Sequence, residues 1–105
     1  MFYVIYHFEV IPGKEGEFIE GWEGLTNLIY THEGSYGSRL HKSSGNSYLA
    51  YAAWPSSSHF KEAGANLPPT AQGFRDKMRQ SCIKITTEHE LELVVDLLKD
   101  SIHTK

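Results

Sequence analysis

The chain has 105 residues, 40% of them hydrophobic and 22% charged, which is the composition of one ordinary globular domain and not of a disordered chain. Ten basic and thirteen acidic residues give a formal net charge of −3 and are scattered along the sequence. That leaves no basic stripe to neutralise phosphates, so nucleic acid is not an expected partner.

The longest apolar run, Tyr48 to Trp54, is too short to cross a bilayer, so no membrane is expected either. The first residues enter a strand-like pattern without a charged lead or apolar signal core, which reads as a cytoplasmic protein. Cys82 is the only cysteine, so an internal disulfide and a multi-cysteine metal site are both excluded. A domain this small buries only about 60–70% of its unfolded surface, a shortage that dimerisation relieves.

In chain order, Phe2 to Ile11 is rich in β-branched and aromatic residues and reads as a strand with two largely apolar faces. Such a sheet needs a cover on each side. The chain's own helices supply one, and a second subunit is the simplest source of the other. Pro12-Gly13 breaks the strand. From Lys14 to about His32, Phe18, Trp22, Leu25 and Ile29 share one helical face. Gly21 and Gly24 within that helix point to close approach to the sheet, and Gly34 stops it.

Ser35 to Lys42 and Tyr48 to Trp54 read as two strands joined by a hairpin, with Gly45 and Asn46 supplying positive φ. Ser56 caps a short helix to about Gly64. Thr70 caps another in which Ala71, Phe74, Met78 and Cys82 share a face. The last strand region, Ile83 to about Leu98, alternates Leu91, Leu93, Val95 and Leu97 with other residues, and its polar stretch Thr86 to Glu90 forms a bulge or loop. The order is β-α-β-β-α-(α)-β: an α+β, ferredoxin-like split βαβ plan with an antiparallel four-stranded sheet, one domain over 1–105.

Placed on these elements, several segments resemble the antibiotic biosynthesis monooxygenase family of dimeric α/β barrels. They are Val10-Ile11-Pro12-Gly13, then Phe18 and Trp22, then Gly34-Ser35-Tyr36-Gly37-Ser38-Arg39-Leu40-His41, Tyr48 through Ser56, and Leu91 to Leu98. The resemblance spans nearly the whole chain. It implies two sheets closed into a barrel across a homodimer, helices outside, and a pocket in each subunit. Relatives include oxygenases that use no cofactor on phenols, anthrones or hydroquinones, and heme-degrading enzymes. Others have no established catalysis, so the fold alone does not settle function.

The resemblance implies a monooxygenase for a small electron-rich aromatic, with no cofactor and no metal. Such chemistry asks the protein to exclude water, orient the ring and stabilise developing oxyanions. Trp54 is expected to orient the ring and donate from its indole N–H, Tyr6 to donate to an oxygen, and Arg39 or His41 to act as base or oxyanion partner. Trp22, Tyr51, Phe60 and Phe74 are the expected substrate-binding side chains.

Competing readings make Trp54 a core anchor and Arg39 with His41 a solvated or dimer-interface pair. Tyr48 and Tyr51 point to opposite sides of their strand, so at most one joins Tyr6. Heme degradation is disfavoured, because the family's first-strand asparagine is replaced by Tyr6 and residues 71–81 contain no histidine. The six histidines (His7, His32, His41, His59, His89 and His103) form no ligand motif. The alternative functions are a non-catalytic small-molecule-binding or stress-related homodimer, and an isomerase or lactone-rearranging enzyme with His7 or His41 as base.

Overall fold

The computed structural model describes residues 1–99; His103 lies outside them. The elements are β1 (Phe2–Val10), α1 (Glu15–His32), β2 (Gly37–Ser44), β3 (Ser47–Trp54), α2 (Ser57–Lys61), α3 (Thr70–Gln80) and β4 (Cys82–Glu92). The sheet order is β2-β3-β1-β4 and every neighbouring pair is antiparallel. This is the ferredoxin-like α+β plan.

Cross-strand register fixes the two faces. Phe2, Val4, Tyr6 and Phe8 sit opposite Trp54, Ala52, Ala50 and Tyr48. These residues, with Val10, face the helices, where Phe18 and Leu25 of α1 complete the core. Rings pack through it: Phe18 lies 5.0 Å from Phe8 and 5.2 Å from Tyr48, both tilted. The other face carries Tyr3, Ile5 and His7 of β1, Leu49 and Tyr51 of β3, and Arg39 and His41 of β2.

Local chemistry explains the boundaries. Gly34, at φ +78, follows the last turn of α1 as an L side chain rarely could. Glu33, just before it, is a buried carboxylate. It accepts from the backbone N–H of Gly64 (2.7 Å) and of Asn66 (3.1 Å), tying the loop before α3 to the end of α1. Ser56 caps α2 by accepting from the His59 N–H. Thr70 is inside α3 and makes no capping bond; Pro69 occupies that place.

Four further expectations need correction. The close approach that Gly21 and Gly24 permit is to α3, not to the sheet. A Cβ on Gly21 would come within 2.7 Å of the Met78 backbone nitrogen, and one on Gly24 within 2.3 Å of the Phe74 ring. In the β2–β3 turn only Gly45 has positive φ, so Asn46 does not. Cys82 opens β4 and is not part of the α3 face. β4 ends at Glu92: the apolar alternation continues, but from Leu93 onward the chain leaves the sheet and runs beside Tyr3 and Tyr51. The polar part of β4 holds a bulge, where Ile5 pairs with His89 and Tyr6 with Thr87, leaving Glu88 without an opposite residue.

Candidate functional site

Between the sheet and the two long helices lies a cavity of about 460 Å³, within the usual range of about 300–1,000 Å³ for small-molecule pockets. Its existence follows from side-chain size. Ala52 lies between Trp54 and Ala50 on the inner face of β3, so the sheet offers little bulk there and α1 cannot close the gap. Tyr6, Phe8, Ala52 and Trp54 form the floor, Trp22, Leu25 and Ile29 of α1 one wall, and Arg75, Met78 and Arg79 of α3 the other. Thr26, Ser35 and Ser38 add hydroxyls. Buried floor residues contrast with exposed Arg79 and Ile85, so the cavity meets solvent between α3 and β4.

Three features of its electrostatics matter. Trp54 is 4% exposed, and its indole Nε1 is the one buried side-chain polar atom without a hydrogen-bond partner among the described residues. A buried donor left unpaired costs about 1–3 kcal/mol, so it creates a demand for an acceptor. The Tyr6 phenol is held above its ordinary 10.0, first by burial and then by the negative charge of Glu90, so it stays protonated and able to donate. Arg75 and Arg79, one helical turn apart, make no ion pair or hydrogen bond among the described residues, whereas Lys77 of the same helix is paired with Glu20 at 2.6 Å. No carboxylate and no imidazole lines the cavity among the described residues.

The residues singled out from sequence divide by sheet face. Trp54, Tyr6 and Trp22 come together in the cavity. Phe60 does not line it; it packs edge-on behind Trp54 at 5.8 Å and against Phe2 at 5.9 Å, fixing the indole. Phe74 is taken up by the α1–α3 contact over Gly24. The structure does not bring Arg39, His41 or Tyr51 to this cavity. Arg39 pairs with Tyr51 and His41 with Leu49 across the β2–β3 ladder, so all three project from the opposite face.

That opposite placement is a matter of parity: on a strand, residues two apart share a face and neighbours do not. Tyr51 instead stacks on Tyr3 at 4.9 Å. His7 is also on that face and bonds the Ser47 hydroxyl. The sequence does not single out Arg75 and Arg79, because the signals in residues 71–81 are an apolar face and the lack of histidine. Their spacing, with the Met78 stripe beside them, was the available signal.

Among the described residues no group of three or more His, Cys, Asp or Glu side chains is placed to hold a metal ion, and no helix is long and apolar enough to cross a membrane.

No family model and no curated protein matches the chain by sequence. Solved structures do match by fold. SnoaB, a cofactor-independent oxygenase from Streptomyces nogalater, superposes with a TM-score of 0.75 at 18% identity, over 93% of this chain and 97% of that one. An antibiotic biosynthesis monooxygenase candidate from Bordetella bronchiseptica gives 0.72 at 20% identity, over 90% and 97%. A second such candidate, from Caulobacter crescentus CB15, gives 0.74 at 19% identity, over 90% of each chain. With its sheet order, helix placement and these superpositions, the chain has the ferredoxin-like α+β fold of the antibiotic biosynthesis monooxygenases.

Proposed function

We propose that this chain is a monooxygenase that needs no cofactor and acts, as a homodimer, on a small electron-rich aromatic of the quinol, phenol or anthrone type. The observation that carries the reading is one cavity in which the rings of Trp54 and Trp22 meet a phenol kept neutral by burial, Trp54 having a fully enclosed and unpaired indole N–H. A flat substrate fits against Trp54, Trp22 and Met78, and its oxygens accept from Trp54 and Tyr6. The SnoaB likeness supports the same chemistry at the level of fold.

The chemistry then places few demands on the protein. The substrate loses its proton to solvent water as it enters, because no carboxylate or imidazole among the described residues lines the cavity, and the two guanidinium groups favour the resulting anion. The anion passes one electron to O2, the two radicals combine into a peroxide, and the O–O bond breaks with loss of water. For an anthrone the balance is one CH2 and one O2 giving one C=O and one H2O, so the substrate supplies all four electrons. The protein excludes bulk water and holds donors where negative charge develops.

Dimerisation follows from the second face of the sheet. Tyr3, Ile5, Leu49, Tyr51 and Leu91 make an apolar centre flanked by Arg39 and His41, the arrangement expected where a second sheet packs. The missing base favours one competing reading, a binding protein of the same fold without turnover. Oxygen uptake by the purified protein with anthrones and hydroquinones separates the two. A rate above the spontaneous background that falls in Trp54→Phe supports the oxygenase. Tight binding with a flat oxygen trace supports the binding protein.

A further inference from the structure

We propose that the cavity selects aromatics carrying a carboxylate beside the ring, with Arg75 and Arg79 as the pair that holds it; this rests on the reading of the same cavity as the substrate site. Both residues lie on one face of α3 and line the cavity, four positions apart, so two positive charges stand on the same side of it. No acidic side chain shares that lining, and neither arginine is ion-paired or hydrogen-bonded among the described residues, although the chain as a whole is acidic at −3.

The neighbouring basic residue shows that pairing is available on this helix: Lys77 is matched by Glu20 across the helix contact. Gln72 likewise donates to Asp76 at 2.8 Å, so that carboxylate is engaged by a neutral partner instead of by Arg75 or Arg79. Glu90 is near enough to raise the Tyr6 pKa, yet it lies outside the lining.

Two unpaired guanidinium groups on the α3 side of a cavity otherwise lined by rings, aliphatic side chains and a few hydroxyls match a ligand that is flat and apolar at one end and anionic at the other. Arginine suits this task because its planar fork meets both oxygens of a carboxylate, whereas a neutral phenol offers it a single oxygen and no charge. The floor then reads the ring and its oxygens, through Trp54 and Tyr6, while α3 reads the acid.

The test uses two probes of the same shape that are already at the oxidation level of the product, anthraquinone-2-carboxylate and its neutral 2-carboxamide, titrated into the full chain by quenching of tryptophan fluorescence. The carboxylate is expected to bind at least about tenfold more tightly, with a preference that shrinks as salt is raised. In the Arg75→Gln/Arg79→Gln double variant, checked for native circular dichroism, the preference is expected to vanish while the carboxamide affinity stays within about twofold. Equal affinities in the wild type, or a preference that survives the double variant, overturns the proposal. Failure of both probes to bind at millimolar concentration overturns it together with the cavity's binding role.

The oxygenase reading fails separately. Selective binding of the carboxylate without oxygen uptake on the corresponding anthrone-carboxylate sinks that chemistry and upholds the arginine pair. Uptake on neutral and acidic anthrones alike, with equal KM, upholds the chemistry and sinks the pair.

Discussion

Trp54 combines two jobs that different substitutions separate. Phe60 packs on its edge and Phe2 lies beyond, so the ring is part of the core, while the indole N–H remains unpaired. Trp54→Phe keeps an aromatic ring and deletes the donor. Turnover is expected to fall by about 10–100-fold while the melting temperature moves by only a few degrees, because removal of an unpaired buried donor offsets part of the lost contact area. Tyr6→Phe should lower kcat by a similar factor, read by oxygen uptake. Ala52→Leu is the complementary change: it fills the floor between Trp54 and Tyr6, and probe binding should weaken at least about tenfold with the fold retained on circular dichroism.

Titration is also a residue-scale matter. Since no histidine or carboxylate among the described residues lines the cavity, the rate should follow the pKa of the substrate when substrates of different acidity are compared. An essential group that is the same in every profile and is lost in His41→Gln would return the base to the opposite face of the sheet. Cys82 is half-buried and its thiol is pushed up from 9.0 to about 11 by burial. The folded state therefore holds this proton after the unfolded state has released it. Its contribution to stability is present below pH 9 and is lost as pH rises towards 11. Urea titrations at pH 8 and pH 10.5 should show that loss, and Cys82→Ser should make it smaller. The same protonation makes the thiol slow towards disulfide reagents at neutral pH.

At the scale of elements, the contact between α1 and α3 sets the cavity width. It rests on glycine: at Gly21 a Cβ would meet α3 backbone at 2.7 and 2.9 Å, and backbone cannot swing aside. Gly21→Ala gains about 1 kcal/mol of helix propensity but must push α3 away, at a cost of about 1–3 kcal/mol. The melting temperature is expected to fall by roughly 5–10 °C, with probe affinity changing too because Arg75 and Arg79 ride on α3. Glu33 acts between elements as well, holding the backbone at Gly64 and Asn66 with one buried carboxylate. Glu33→Ala leaves two N–H groups unpaired and should cost about 2–3 kcal/mol in chemical denaturation.

At the scale of the molecule, the sheet has one face closed by helices and one that the described residues cover only in part. Leu93 to Leu98 passes beside Tyr3 and Tyr51, while Val94, Val95, Leu97 and Leu98 remain largely exposed. Light scattering is expected to give a dimer at micromolar concentration, and Ile5→Glu with Leu49→Lys to give a monomer, since both side chains project from the centre of that face. A wild-type monomer would contradict the barrel.

The sequence by itself determined the element order and the two-faced sheet, because period-two and helical patterns, Pro-Gly and Gly-Asn breaks are local signals. It also singled out Trp54, Tyr6 and Trp22, which line one cavity. Only the tertiary structure decided the rest. Register assigned Arg39, His41 and Tyr51 to the opposite face, a parity that one bulge or one shifted boundary reverses. Helix packing decided that Gly21 and Gly24 meet α3, and it brought Arg75 and Arg79, more than twenty residues beyond Tyr51, up to the cavity wall. A side chain's partner across a gap depends on the docking of whole elements, and no local pattern encodes that.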